Sequence, residues 1–298
     1  MKRPASAARP AGRPASRPPV RLTPRRRRRL DPALLVGATI VGLLVLLAAV
    51  SLVWTPHDPL AMDAATRLAP PDGEHWLGTD KFGRDVASSI MVGARTTLLV
   101  GIVSVGIAAL VGVPLGILAA MGPRWLGLLL MRGTDILLAF PALLLAIMFS
   151  AVYGASTTIA MLAIGIATIP TFARVTRSGA LTVLRAEFVP AARLAGLGGP
   201  AIAVRHVLPN IVGLVIVQAS VAFAIAILAE AALSFLGLGT PPPTPSWGRM
   251  LQESQEMLWS APRLALIPGT AIALAVLGFN LLGDGLRDLL DPRLKDRT

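Results

Sequence analysis

Long uncharged stretches alternate along this chain with short polar ones, and their lengths set the first constraint. Residues 33–54 and 96–121 carry no charge, and a third uncharged run of 38 residues extends from 136 to 173. A helix rising 1.5 Å per residue needs about 20 apolar residues to cross the roughly 30 Å of hydrocarbon in a bilayer. The longest run is therefore read as two spans joined by a tight hairpin near Tyr153–Thr158, where Gly and hydroxyl residues interrupt it. Residues 207–229 and 264–283 complete the set. The pattern predicts an all-α polytopic membrane protein with six transmembrane helices.

Composition agrees with that solvent: 54% of the residues are hydrophobic, 15% are charged and the mean hydropathy is +0.68. Basic residues fall unevenly, with 11 in residues 1–32, two in 122–133, five in 174–206 and four in 284–298, against four in 55–95 and two in 237–263. Positively charged loops stay cytoplasmic, so both termini are expected inside. The net charge of +12 would suit a nucleic-acid partner, but almost all of the excess sits in the Arg- and Pro-rich tail, and none is expected to bind nucleic acid. That tail reads as disordered, and Arg25–Arg29 as either a topological anchor or an attraction to anionic headgroups. The apolar run after it has 22 residues, longer than a signal-peptide core and without a clean cleavage site, so it is read as an uncleaved span. The organisation is then a basic tail (1–32), a first span (33–54) and an external loop carrying an amphipathic helix (55–95). A five-helix core (96–286) with a cytoplasmic loop (174–209) and a C-terminal tail (287–298) complete it.

Several chemistries drop out. The chain has no Cys, which removes thiolate metal sites and thiol catalysis. Its three lysines, Lys2, Lys81 and Lys295, do not follow Gly, so no P-loop is present to cradle ATP. His57, His75 and His206 form no H-E-x-x-H arrangement, and no G-x-S-x-G elbow occurs. Neither a catalytic residue nor a metal ligand is expected.

Two acids lie at membrane depth, where ionisable groups are functional candidates. Asp135 follows Arg132 by three residues on one helical face, which suits an internal ion pair as well as a pathway or subunit interface. Glu230, with Ser234 beside it, is placed either to line a path or to reach the headgroups. Gly112 and Gly116 flank Pro114 with small residues four apart, a spacing that lets helices approach closely within a subunit or between subunits. Outside the core, the segment with Asp80, Arg84 and Asp85 is a turn leading to a surface-lying helix at Val86–Ala94. Pro241–Gly248 is a stiff loop whose Trp247, like Trp259, suits the headgroup level.

The most distinctive stretch is Pro190–Asn210, PAARLAGLGGPAIAVRHVLPN, a Gly-rich basic turn between two apolar runs. Its Ala191-Ala192, Gly196 and Leu208-Pro209 resemble the cytoplasmic EAA loop, which docks permease subunits of ABC transporters onto their ATPases. GTDKFGRD (78–85), MRGTDILLAFPALLLAI (131–147), EAALSFLGLG (230–239), PTPSWG (243–248) and FNLLGDGLRDLLDPRL (279–294) follow in an order that resembles the dipeptide, oligopeptide and nickel permease family of ABC importers, second permease type. Only the N-terminal tail lies outside the likeness. Pro190 stands where the motif Glu would, and His206 where an Ile is usual; a Pro in the first helical turn is tolerated, so a short coupling helix is expected near Pro190–Leu197.

The resemblance implies a type I ABC importer permease fold in the bacterial inner membrane. It implies partners: a homologous second permease, two ABC ATPase subunits that bind ATP and magnesium, and an external substrate-binding protein, all around the lipid bilayer. No cofactor is expected in this chain. Ala191, Ala192, Arg193, Gly196, Leu197, Gly198, Arg205, His206, Leu208 and Pro209 would form the coupling loop, and Asp80, Arg84, Asp85 and Trp247 the external contacts. The substrate implied is a di- or oligopeptide, with nickel or another small solute as the alternative; a secondary carrier would need inverted repeats and would have no use for the coupling loop.

Overall fold

A backbone in hydrocarbon has to satisfy its polar groups within its own segment, and the uncharged runs do so as helices. The computed structural model of the protein describes residues 32–290, so the basic tail, its Arg25–Arg29 run and the last eight residues of the C-terminal tail lie outside the described residues. The elements are α1 (Pro32–Ser51), α2 (Val86–Met121), α3 (Arg124–Ala139), α4 (Ala142–Tyr153), α5 (Thr157–Leu184), α6 (Phe188–Leu194), α7 (Gly199–Ile202), a π-helical turn (Ala203–Val207), α8 (Leu208–Phe235), α9 (Trp247–Ser254) and α10 (Arg263–Leu290). Among the described residues there is no β-strand, and an isolated bridge pairs Thr79 with Asp85.

Five of these helices are long and apolar enough to cross a membrane, and six spans result if the bent pair α3–α4 counts as one. The expected hairpin falls at Gly154–Ser156, where Ser156 caps α5 by accepting from Ile159 N. The preceding span is not straight: its halves meet at 81° around Phe140-Pro141. Pro141 has no N–H to continue the helix and disfavours helical geometry at the residue before it.

Helix α2 also departs from expectation. Val86–Ala94 is no surface-lying helix but the first part of α2, which runs without a break for 36 residues, about 54 Å, beyond the thickness of the hydrocarbon. Arg95 Nε donates to Ser51 Oγ, the last residue of α1, at 2.5 Å, so the two helices are level there and α2 extends past it. Asp85 caps the extension, its carboxylate accepting from Ser88 N at 2.7 Å. Val86, Ala87, Ser88, Ser89, Met91 and Ala94 are all buried, because the loop 52–85 and α9 cover the helix where lipid was expected.

The core is built by α2 against α5 and by α10 against α1 and α8. Gly112 and Gly116 face α5 so closely that a Cβ at Gly116 would sit 2.5 Å from the Ala173 carbonyl oxygen. Small residues let backbones approach, which is the main source of helix association in lipid. Their spacing therefore serves packing within the subunit.

Candidate functional site

At the C-terminal end of α2 the chain between α5 and α8 forms a compact elbow. Pro190 is the third residue of α6, where the helix has no use for its amide hydrogen. Helix α6 then closes in a Schellman arrangement: Leu197 N donates to Ala192 O at 3.1 Å and Gly196 N to Arg193 O at 3.0 Å. That closure places C′ in the left-handed region, and Gly196 has φ +86° there. A Cβ at Gly196 would meet nothing within 4 Å, so glycine is required by the backbone and not by space.

The elbow is held from inside and bare outside. Val189, Ile202, Val207 and Ile211 form a buried cluster with Leu197 packed against it, and Ala192 is buried as well. Ala191, Arg193, Gly198, Arg205 and Pro209 are exposed, while Leu208 and His206 are half-buried. The His206 ring lies 5.9 Å from that of Phe188. Leu194 is 91% exposed and Val204 64%; neither apolar position stood out in the sequence, where only exposure in the fold could mark them. Pro209 supplies no N–H for the carbonyl four residues before it, and the ladder shifts to a π-turn in which Leu208 N donates to Ala203 O. Such turns recur at functional sites.

Of the residues assigned to external contacts at the other end of α2, Asp80 and Arg84 instead bind each other. Asp80 accepts from Phe82 N, Arg84 N and Arg84 Nε at 2.7, 2.9 and 2.6 Å. Arg84 also pairs with Glu253, which accepts from Arg249 Nε at 2.8 Å. Burial works against the Arg84 charge, but the two carboxylates outweigh it and hold the guanidinium above its ordinary range. Trp247, placed at the headgroup level by sequence, is 2% exposed: its ring sits over Gly93 and its Nε1 donates to Ile90 O at 3.0 Å. Trp259, by contrast, is fully exposed. Asp85 is buried as well, so Arg84, Asp85 and Trp247 secure this end of the subunit and offer little surface to a partner.

No metal ligand was expected, yet His57 and His75 both approach Asp85. The turn presenting His75 is set by Asp72, whose carboxylate accepts from His75 N and Glu74 N; those bonds hold the Asp72 carboxyl below its ordinary range.

Of the acids at membrane depth, Asp135 pairs with Arg132 at 3.7 Å and more closely with Arg174 of α5 at 2.7 Å. The second partner is 39 residues away and invisible to local pattern. None of the three side chains is buried within the chain. Glu230 lines no open surface and reaches no headgroup, being 1% exposed. Ser234 Oγ donates to its Oε1 at 2.7 Å and Thr240 Oγ1 at 3.3 Å, while Thr240 N donates to Ser234 Oγ at 2.9 Å. Glu230 and the equally buried Ser234 thus tie the loop after α8 back onto that helix.

Comparison with known proteins adds a family. The sequence pattern of the family described as "Binding-protein-dependent transport system inner membrane component" matches residues 112–296. The chain is 44% identical over 261 residues, 88% of its length, to the dipeptide transport system permease protein DppC of Alkalihalophilus pseudofirmus, covering 86% of that protein. It is 41% identical to the glutathione transport system permease protein GsiD of Pectobacterium atrosepticum, covering 87% of each chain. Among solved structures, the MetNI methionine ABC transporter in inward-facing conformations aligns with a TM-score of 0.58 at 16% identity, over 68% of this chain and 96% of that one. At that identity the likeness concerns the fold.

Proposed function

Because this chain belongs to the binding-protein-dependent inner-membrane transport component family, we propose that it forms one half of the channel of an ATP-driven importer for di- and oligopeptides. A homologous permease supplies the other half, two ATPase subunits bind ATP and magnesium, and an external binding protein delivers the substrate. The observation that carries this reading is the elbow between α5 and α8. It is a short helix with a fixed closure, anchored by a buried cluster and presenting exposed Phe188, Arg193 and Leu194. A rigid part of this kind transmits a push from a docked ATPase to α5 and α8. The P-loops that close on ATP would lie on those partners, since no lysine of this chain follows a glycine. The peptide substrate is supported by relatives named for dipeptide and glutathione transport.

Uptake measurements test the substrate. Cells lacking this subunit should lose uptake of small peptides and keep normal nickel uptake; unchanged peptide uptake in a strain without a redundant importer overturns the assignment.

The orientation has its own test, which the absence of native Cys makes clean. Single cysteines at Ser6 and Gly199 should react with an impermeant thiol reagent only after the membrane is opened, while cysteines at Asp72 and Thr244 should react in intact cells. Gly199 reacting from outside would put the elbow on the wrong side for an ATPase.

A further inference from the structure

We infer that His57, His75 and Asp85 form a binding site for one divalent transition-metal ion of the zinc class, where the loop 52–85 meets the head of α2. His57 follows α1, His75 lies in the loop and Asp85 caps α2, so the three ligands come from three separate turns. His75 Nδ1 lies 3.0 Å from Asp85 Oδ1, and His57 Nδ1 lies 3.8 Å from the same oxygen. All three ligand atoms fall within 4.8 Å of one another. Zinc bonded to imidazole nitrogen and carboxylate oxygen at 2.0–2.2 Å in a tetrahedron sets its ligand atoms roughly 3.4 Å apart. The observed separations bracket that distance, and small rotations of the two imidazoles, whose ring centroids are 4.5 Å apart, would complete it.

Two further observations favour a cation over a simple hydrogen bond. Asp85 can satisfy His75 alone, and His57 Nδ1 is left buried with no hydrogen-bond partner, an unfavourable state for a polar atom. An ion among the three would be ligated by His57 Nδ1, His75 Nδ1 and Asp85 Oδ1, giving the unpartnered nitrogen a ligand role. The other carboxylate oxygen is already committed, because Asp85 Oδ2 accepts from Ser88 N and from Ser88 Oγ, both at 2.7 Å. Ser88 Oγ in turn accepts from His57 N at 2.9 Å. One serine thereby orients the carboxylate and the backbone of a histidine, the outer support that metal ligands characteristically have. Two neutral imidazoles and one carboxylate suit zinc, nickel or copper better than calcium or magnesium, which take oxygen ligands. Three protein ligands would leave the fourth position of a zinc tetrahedron to a water molecule. An ion held here pins the loop 52–85 to α2.

Zinc binding by the full chain, purified in detergent and stripped with a chelator, tests the site. Equilibrium dialysis against zinc followed by elemental analysis should find one ion per chain, and zinc should raise the thermal midpoint of the stripped protein. His57→Gln and His75→Gln should each lose the ion and the stabilisation, Ser88→Ala should weaken binding by about 10–100-fold, and His206→Gln should leave it intact. Wild-type protein that takes up no stoichiometric zinc overturns the inference without reference to any variant. So does zinc retained in full by both His57→Gln and His75→Gln.

Discussion

Replacing Gly196 with Val is expected to cut peptide uptake roughly 5–30-fold while the subunit remains in the membrane at normal abundance. The backbone at this position has φ +86°, and an L-residue with a branched Cβ in the left-handed region costs about 1–2 kcal/mol or more, the energy that corresponds to that range. The added Cβ meets nothing within 4 Å. The strain therefore falls on the closure made by Leu197 N and Gly196 N and leaves the packed helices alone. Relaxing it would unwind the end of α6 and displace Leu194 and Arg193 from the surface we propose an ATPase meets. Asn tolerates this conformation, so Gly196→Asn should keep most of the uptake. In the reconstituted complex, substrate-stimulated ATP hydrolysis should fall toward the basal rate in Gly196→Val. Full stimulation and full uptake in that variant would reduce the elbow to a plain connector.

The opposite outcome, loss of the protein itself, is expected for Gly116→Val. Here the new Cβ would lie 2.5 Å from the Ala173 carbonyl oxygen and 2.7 Å from Thr176 Cβ. A backbone carbonyl cannot rotate away as a side chain can, so α2 and α5 have to separate along much of their contact. Overpacking of this kind costs about 1–3 kcal/mol or more. In lipid, where apolar helices gain little from leaving the solvent, close packing is what holds them together. Membrane abundance on immunoblot should drop several-fold, and uptake with it. Gly106→Ala on the same helix is the control: nothing lies within 4 Å of its Cβ, and abundance should be unchanged. Normal abundance and transport for Gly116→Val would mean that α2 and α5 are not held as tightly as the structure has them.

What could be read before folding was set by how local each cause is. A span announces itself by length and lack of charge, so α1, α5, α8 and α10 were visible, as was the turn at Gly196, where one residue lacking a Cβ marks the end of a helix. The break at Phe140-Pro141 carried its signal in the open, yet an unbroken apolar run outweighed one proline. Hydropathy also cannot separate hydrocarbon from the interior of the protein. Trp247 and Glu230 were accordingly set at the membrane surface or along a path, although one is packed over Gly93 and the other is bonded to Ser234 and Thr240. The remaining gaps are tertiary. Arg174 reaches Asp135 across 39 residues, and His57 meets His75 and Asp85 through turns that share no period or motif.

The sharp bend between α3 and α4 limits what may surround the subunit. The first amides of a helix have no partner within it, and Pro141 provides no side chain to cap those of α4. Ala142, Leu143 and Leu144 nevertheless face outward. Acyl chains offer no acceptor, so irregular backbone at that depth persists where protein or water adjoins it. At this bend the surface of the subunit is thus one that protein or water, and not lipid, has to adjoin. Its shape by itself reserves a place for something that is not lipid.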